Sequence, residues 1–404
     1  MVTTTIVPTR SNSYNRLHMS LFKKEHATKN VDIIADVRSS GIGIALISYQ
    51  DKAPLIRYTK RYPVIFKDNI DANDFVKRIM KELDKALLET LTEVIGKKGF
   101  KVKNTHVIFS SPWYTAQTKK LNLKREKSFT FTKNQFETLI KKEAQSQPKN
   151  EQMTIIEKDI TQVILNGYEI HNPFDKVTKE IGLSFYIGLI SNQTKNIVDK
   201  IIDKHFHKTK IKYHTHGSVL FNVLRDSFIN LNNYIALDIS GETTDIFINQ
   251  EGMIKGIASI PYGKHDFVRN IGKTCDKDFD TILSSLKLLA EGALEMKCES
   301  DIEVLFKEEE KVWIKAIKEG LSTIQNVEQL PPKVCIIADN DFIKISEKLS
   351  TGKLFSKEIY DSAEGIGIIT INQNKIETCI NYDKEVGKDL LLELETLFLF
   401  IKNN

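Results

Sequence analysis

Residues Tyr234 to Ile260 read YIALDISGETTDIFINQEGMIKGIASI, and this stretch constrains the fold more than any other. An apolar strand carries Asp238 into a small polar turn, Ser240-Gly241-Glu242-Thr243-Thr244, and a second apolar strand begins at Asp245. Turn residues without bulk let backbone N–H groups approach an anion, and the Thr hydroxyls add donors. A carboxylate at Asp238 is placed to hold magnesium through its water shell. The pattern occurs twice. Val31 to Tyr62 runs as an apolar strand, Asp36, the turn Arg38-Ser39-Ser40-Gly41, a strand, a second turn and a third strand. Two such clamps predict two like half-domains facing each other across a nucleotide, with Asp36 and Asp238 at the ends of equivalent strands.

Composition fits a large intracellular chain. The sequence has 404 residues, 41% apolar and 27% charged, which is ordinary for globular proteins. Lys and Arg number 58 against 53 Asp and Glu, a net charge of +5, too balanced to argue for nucleic acid. Cys275, Cys298, Cys335 and Cys379 lie far apart, so neither a zinc site nor a disulfide frame is expected and a reducing cytosol fits best. No run approaches the roughly 18 apolar residues of a membrane span, and the start lacks a leader pattern.

Residues 1–30 are polar and read as a mobile tail. Asp71 offers an N-cap to a helix bearing Phe75, Ile79, Leu83, Leu87, Leu88 and Leu91 at helical spacing. Between about 116 and 195 the pattern changes to short strands around two helices, the first carrying Phe136, Leu139 and Ile140. Helices are expected over Lys264–Lys273, Asp280–Met296 and Ser300–Gly320, the last with a solvated Glu308-Glu309-Glu310-Lys311 face, then a strand over Lys333–Ala338. Lys388 to Lys402 is helical in period but apolar nearly all round, with Glu393 and Glu395 as interruptions. A core or partner-packing helix is the preferred reading over a lipid anchor.

DVRSSGIG and DISGETTDI resemble the two phosphate motifs of the actin and Hsp70-like ATPase superfamily. Within it, three further stretches resemble the bacterial branch that contains FtsA and PilM: Asn166-Gly-Tyr-Glu-Ile-His-Asn172-Pro173, Tyr186 to His205, and Ser259 to Phe267. The likeness spans residues 31–345 as an ordered set of motifs. It implies an α/β, actin-like (ribonuclease H-like) two-lobed ATPase fold with an SHS2 subdomain insertion. The lobes would be 31–115 and 196–404, the latter ending in the C-terminal helix, with the SHS2-like insert at 116–195. It implies ATP and Mg2+ at Asp36, Arg38, Ser39, Ser40, Gly41, Asp238, Ser240, Gly241, Glu242, Thr243 and Thr244, with Asp36 and Asp238 serving the metal through water. The implied role is an FtsA-like, cytoplasmic scaffold for cell division at the inner membrane face, polymerising or docking there through peripheral membrane contact. Its partners would be further copies of itself and division or pilus proteins, with no nucleic acid. The alternatives are a PilM-like type IV pilus assembly platform, a nucleotide-free interaction module, and a small-molecule kinase of the same superfamily. The kinase is disfavoured by the position of the insert and by the want of a second substrate domain.

The departures fall at the chemistry. Arg38 replaces a glycine of the resembling families, Gly43 a lysine, Glu242 a glycine, and Ala338-Asp339-Asn340 the Gly-Gly pair that contacts adenosine. An arginine at 38 either pairs with phosphate or blocks the backbone amides. A carboxylate at 242 would repel terminal phosphates unless a metal lay between. The expectation is a weak or absent ATPase, with a retired site as the competing reading. His205, His207, His214 and His216 admit a metal site, but surface histidines are preferred. Lys119, Lys120, Lys124, Arg125 and Lys127 read as outward lysines and arginine of a strand in preference to a lipid or acidic-partner patch. Cys275 has no histidine placed by motif and is no candidate nucleophile.

Overall fold

The computed structural model describes residues 29–50, 52–66, 71–145, 152–170, 172–228, 231–293, 296–325, 327–362, 366–371, 376 and 378–403. The expected tail at 1–30 lies outside them but for its last two residues, which open the first strand. That strand, β1 (Lys29–Arg38), pairs antiparallel with β2 (Gly41–Tyr49) and parallel with β4 (Phe100–Phe109). With β3 (Pro54–Pro63), β9 (Lys210–Thr215) and β15 (Asn381–Tyr382) they form a sheet in the order β15-β3-β2-β1-β4-β9. The second sheet repeats the scheme. Its strands are β10 (Tyr234–Ile239), β11 (Thr244–Gln250), β12 (Met253–Ile260), β13 (Lys333–Ala338) and β14 (Gly367–Thr370), ordered β12-β11-β10-β13-β14. Asp36 lies opposite Gly43 and beside Ile108; Asp238 lies opposite Asp245 and beside Ile337. The two aspartates therefore hold equivalent places in equivalent three-stranded meanders.

Both faces of each sheet are covered, which is why β1 and β10 read as continuous apolar runs. Asp71 caps α1 (Ala72–Glu89) by accepting from the N–H groups of Asn73 and Asp74. That helix continues through a π turn at Thr90–Ile95 into α2 (Gly96–Lys98). Leu83 and Leu87 of α1, with Val198 and Ile202 of α4 (Asn192–His205), pack on Ile33, Ala35 and Val37. The outer face of the second sheet is covered by α6 (Lys264–Cys275), α7 (Phe279–Glu291), α8 (Met296–Ser322), α9 (Ile343–Thr351) and α10 (Lys353–Tyr360). On α8, Glu308 and Lys311 are solvated as expected, but Glu310 is buried.

Between the sheets lie α5 (His216–Ser227) and α11 (Leu390–Asn403). Their core joins Ile34, Ala45 and Ile47 of the first sheet to Ala236, Phe247 and Ile337 of the second. Every residue from Leu390 to Leu399 is buried. The all-round apolar C-terminal helix is thus a core element, and its surface is not available to lipid. Among the described residues, no helix is long and apolar enough to cross a membrane.

The segment between β4 and β9 builds a separate four-stranded sheet, β5-β8-β6-β7, from β5 (Tyr114–Phe131), β6 (Met153–Leu165), β7 (Tyr168–Glu169) and β8 (Lys176–Ser191). Helix α3 (Lys133–Gln145) lays Phe136 and Ile140 against Ile181, Leu183 and Phe185. The strands are longer than their apolar content suggests, because β5 is one strand with an irregularity between Lys124 and Phe129. Lys120, Lys124, Arg125 and Lys127 project to solvent along it. The chain then returns to the first lobe, since β9, beyond the expected boundary at 195, pairs with β4. The Tyr186 hydroxyl lies 2.6 Å from Thr215 Oγ1, which seats the insert on the β9–α5 junction.

The histidines depart from the surface reading. His216 is fully buried, and the side chains of His205 and His214 are 4% and 12% exposed; only His207 of the four is solvated. His214 and His216 flank Thr215, the N-cap of α5, at a junction roofed by the insert and α11. Among the described residues, no group of three or more His, Cys, Asp or Glu is arranged to hold a metal ion.

Candidate functional site between the lobes

The two turns meet. Gly41 has φ +142°, and a Cβ there would lie 2.2 Å from the Tyr62 carbonyl oxygen, so the first turn requires glycine. The second turn is held from behind: the N–H groups of Lys264 and His265 donate to the carbonyls of Ser240 (2.9 Å) and Gly241 (2.8 Å). The Thr244 hydroxyl donates to the Tyr262 carbonyl at 2.7 Å. Across the lobes, Ser39 Oγ donates to Ser240 Oγ at 2.9 Å and accepts from the Glu242 N–H at 3.0 Å, while Thr243 Oγ1 donates to the Ser111 carbonyl at 3.2 Å. A Cβ on Gly241 would sit 2.8 Å from the Ser39 carbonyl carbon and oxygen. Backbone meets backbone where a phosphate would need room.

The charged side chains pair with each other, while Asp36 Oδ1, Arg38 Nε and Asp339 Oδ1 are buried without a hydrogen-bond partner. Arg38, fully buried, donates from one terminal nitrogen to Asp238 Oδ1 at 2.5 Å and from the other to Ser110 Oγ at 2.9 Å; its Nε lies 4.0 Å from Asp339 Oδ1. Arg61 donates to Asp36 Oδ2 at 2.9 Å and grips Asp389 with two bonds, 2.6 and 2.9 Å. It reaches Asp36 by crossing Gly43, its cross-strand partner, where a Cβ would lie 2.9 Å from a guanidinium nitrogen. Gly43, where the resembling families carry a lysine, is the opening for Arg61. Lys264, buried at the start of α6, donates to Asp339 at 2.7 Å and to both oxygens of Asp341 at 2.9 and 3.1 Å. Glu242 turns toward α6, accepting two bonds from Arg269 (2.9 and 2.7 Å) and lying 2.9 Å from His265 Nδ1.

The electrostatics follow. Burial alone would raise the Asp339 carboxyl, but Lys264, Arg61 and Arg38 hold it well below the carboxylate range. Burial likewise opposes ionised Arg38, and the nearby carboxylates of Asp238, Asp36 and Asp339 reverse the direction. Burial and the positive Arg38 push His216 down to about 3, so this imidazole, 3.6 Å from both Asp238 and Glu395, is neutral. Burial first, then Asp36, drives Glu395 well above its ordinary value. Burial would raise Glu242, yet hydrogen bonds from His265 and Arg269 bring it down to about 2.

Glu242 is accordingly a structural carboxylate, and pH reports it. Its folded value lies below the unfolded one, so its contribution is complete above about 4.5 and is lost as pH falls toward about 2. Glu242→Gln is expected to cost about 1.5–3 kcal/mol at neutral pH, the range for hydrogen bonds to charged groups. Urea unfolding at pH 6 and pH 3 checks this: the gap between parent and variant narrows at the lower pH.

These residues do not fit a magnesium nucleotide. Asp36 and Asp238, expected to serve the metal, each face a guanidinium, and the Glu242 amide of the second turn is taken by Ser39 Oγ of the first. Asp339, which the resemblance puts where adenosine would be contacted, pairs with Lys264. A cavity of about 350 Å3 persists at the cleft mouth, but Arg61, Lys264, Asp339 and Asp389 on its walls are already paired. Of the residues picked out in the sequence, Asp36, Arg38, Ser39, Ser40, Gly41, Asp238, Ser240, Gly241, Glu242, Thr243 and Thr244 do converge on the interlobe seam. Sequence reasoning missed Arg61, Ser110 and Arg269, and it singled out His216 and Glu395 without placing them at this seam. Arg61 alone had a local signal, as the hairpin partner of an unexpected glycine.

No protein-family model matches the chain, and no curated protein does. Among solved structures it resembles the PilM-PilN type IV pilus biogenesis complex, with a TM-score of 0.59 at 10% identity over 92% of this chain and 98% of that one. The chain has the actin-like ATPase fold. Looser likenesses, which carry no argument, are to a Bacteroides thetaiotaomicron protein of actin-like ATPase fold and unknown function (TM-score 0.40, 9% identity, 92% and 96% coverage) and to the ethanolamine utilization protein EutJ from Carboxydothermus hydrogenoformans (TM-score 0.41, 11% identity, 84% of both chains). At these identities the likeness establishes fold alone.

Proposed function

We propose that this chain is a nucleotide-independent, actin-fold assembly scaffold whose inserted four-stranded unit is of the SHS2 kind. Its role resembles that of PilM in a PilM-PilN type IV pilus biogenesis complex. The observation that carries the reading is the self-pairing of the clamp, where Arg38–Asp238, Arg61–Asp36, Lys264–Asp339 and Arg269–Glu242 take up the groups a phosphate or metal would need. A fold with this site closed retains surfaces for partners and loses the means to cycle with ATP. The match over nearly the whole of a pilus-assembly chain favours a pilus role over a division role. The same proposal sets the chain in the cytoplasm, beside the inner membrane through its partner and not through α11, whose apolar residues are buried.

Deleting the gene from its host and scoring both surface pili and septum formation tests this. Loss of pili with normal division is the expected result. Undivided filaments bearing normal pili would overturn the pilus role and favour the division scaffold.

A further inference from the structure

We infer that Arg38 is an internal latch standing in for a bound nucleotide, a side chain of the first lobe that holds the second lobe closed with no ligand present. Two observations carry this. The guanidinium is fully buried and lies against three elements: it donates to Ser110 at the end of β4 and to Asp238 on β10, and its Nε lies 4.0 Å from Asp339 after β13. Two of those elements belong to the opposite lobe, 200 residues or more along the chain. The planar fork matters here, because an ammonium at the same place would be a point charge without two terminal nitrogens directed at two different elements.

The surroundings are built to the closed state. Ser39–Ser240, Glu242 N–H to Ser39 Oγ, Thr243 to the Ser111 carbonyl and Arg269 to the Phe66 carbonyl at 3.2 Å all cross the seam around Arg38. Gly241 presses on the Ser39 backbone with no space for a Cβ. Asp238 is buried, so without Arg38 it would be an interior carboxylate that has lost its paired cation. In an actin-like fold a phosphate-bearing ligand between the turns would bridge the lobes. Here the bridge is encoded in the chain, so closure does not wait on a ligand and cannot be released by hydrolysing one. The latch needs no pilus partner, so its failure is distinguishable from failure of the assembly role.

Two experiments on the full chain test it. In the first, Ser39→Cys is combined with Ser240→Cys, and disulfide formation under mild oxidant is followed by mass spectrometry. The expected result is complete cross-linking in the ligand-free protein at a rate that millimolar MgATP leaves unchanged. Failure to cross-link, or cross-linking only with MgATP, would overturn the latch. In the second, Arg38→Gly is expected to lower the Tm, and guanidinium chloride well below denaturing concentration is expected to raise the variant's Tm relative to NaCl at equal ionic strength while the parent gains nothing. A variant as stable as the parent, or one indifferent to guanidinium, would contradict it. Should the glycine variant fail to fold, the cross-linking result decides.

Discussion

Replacing Arg38 by alanine is expected to lower the free energy of unfolding by about 3–5 kcal/mol, the range found when one partner is removed from a buried ion pair. The loss arises because Asp238, 1% exposed, is left as an interior carboxylate without the cation it pairs with. It does not measure the net worth of the pair, since two charges taken from water give back much of their attraction as desolvation. A second variant separates these contributions. Arg38→Met combined with Asp238→Leu removes both charges and fills the space with apolar atoms, so its stability is expected to recover most of what alanine loses. Urea unfolding of the parent, the single variant and the double variant gives all three values. Equal losses in the two variants would show that the pair's attraction exceeds its desolvation.

Phe398→Ala is expected to cost about 3–5 kcal/mol, as for other large-to-small changes of buried aromatic side chains. Phe398 is fully buried on α11, set edge-on to His214 at 5.2 Å between ring centroids, in a core shared by both sheets. No single lobe can close over the gap, because its walls belong to two sheets and α5. A lipid-anchoring helix would behave differently. It would tolerate the change in solution and lose binding to anionic vesicles, whereas this helix is expected to show no vesicle binding in the parent. Urea unfolding and vesicle sedimentation check the two halves of the prediction.

The paired lobes were legible because their signal is local and repeated. An apolar strand, an aspartate and a small polar turn recur at Asp36 and at Asp238, and each meander folds from neighbours in sequence. The C-terminal helix was legible for the same reason, since a helix apolar all round has to be covered on every side. The state of the site was not legible. Arg38 finds Asp238 across 200 residues and Lys264 finds Asp339 across 75, and an ion pair at such separation leaves no period in the sequence. Glu242 read as a charge against phosphate because its partners, His265 and Arg269, sit on the next helix turn of a segment notable only for its resemblance. His214 and His216 misled in another way. His214 lies in β9 and His216 opens α5, and their covering comes from Glu157 of the insert and from Phe398 and Glu395 of α11, all remote in sequence.

Thermal unfolding with and without MgATP tests most directly whether the chain has given up its nucleotide. A ligand that binds the folded state raises the Tm by mass action, by an amount set by its concentration relative to Kd. With both clamps closed by the protein's own charges, the parent is expected to show the same Tm in millimolar MgATP as in buffer of equal magnesium and ionic strength. A clear rise in Tm with MgATP that Asp238→Ala abolishes would contradict the account and restore Asp238 to the service of a metal.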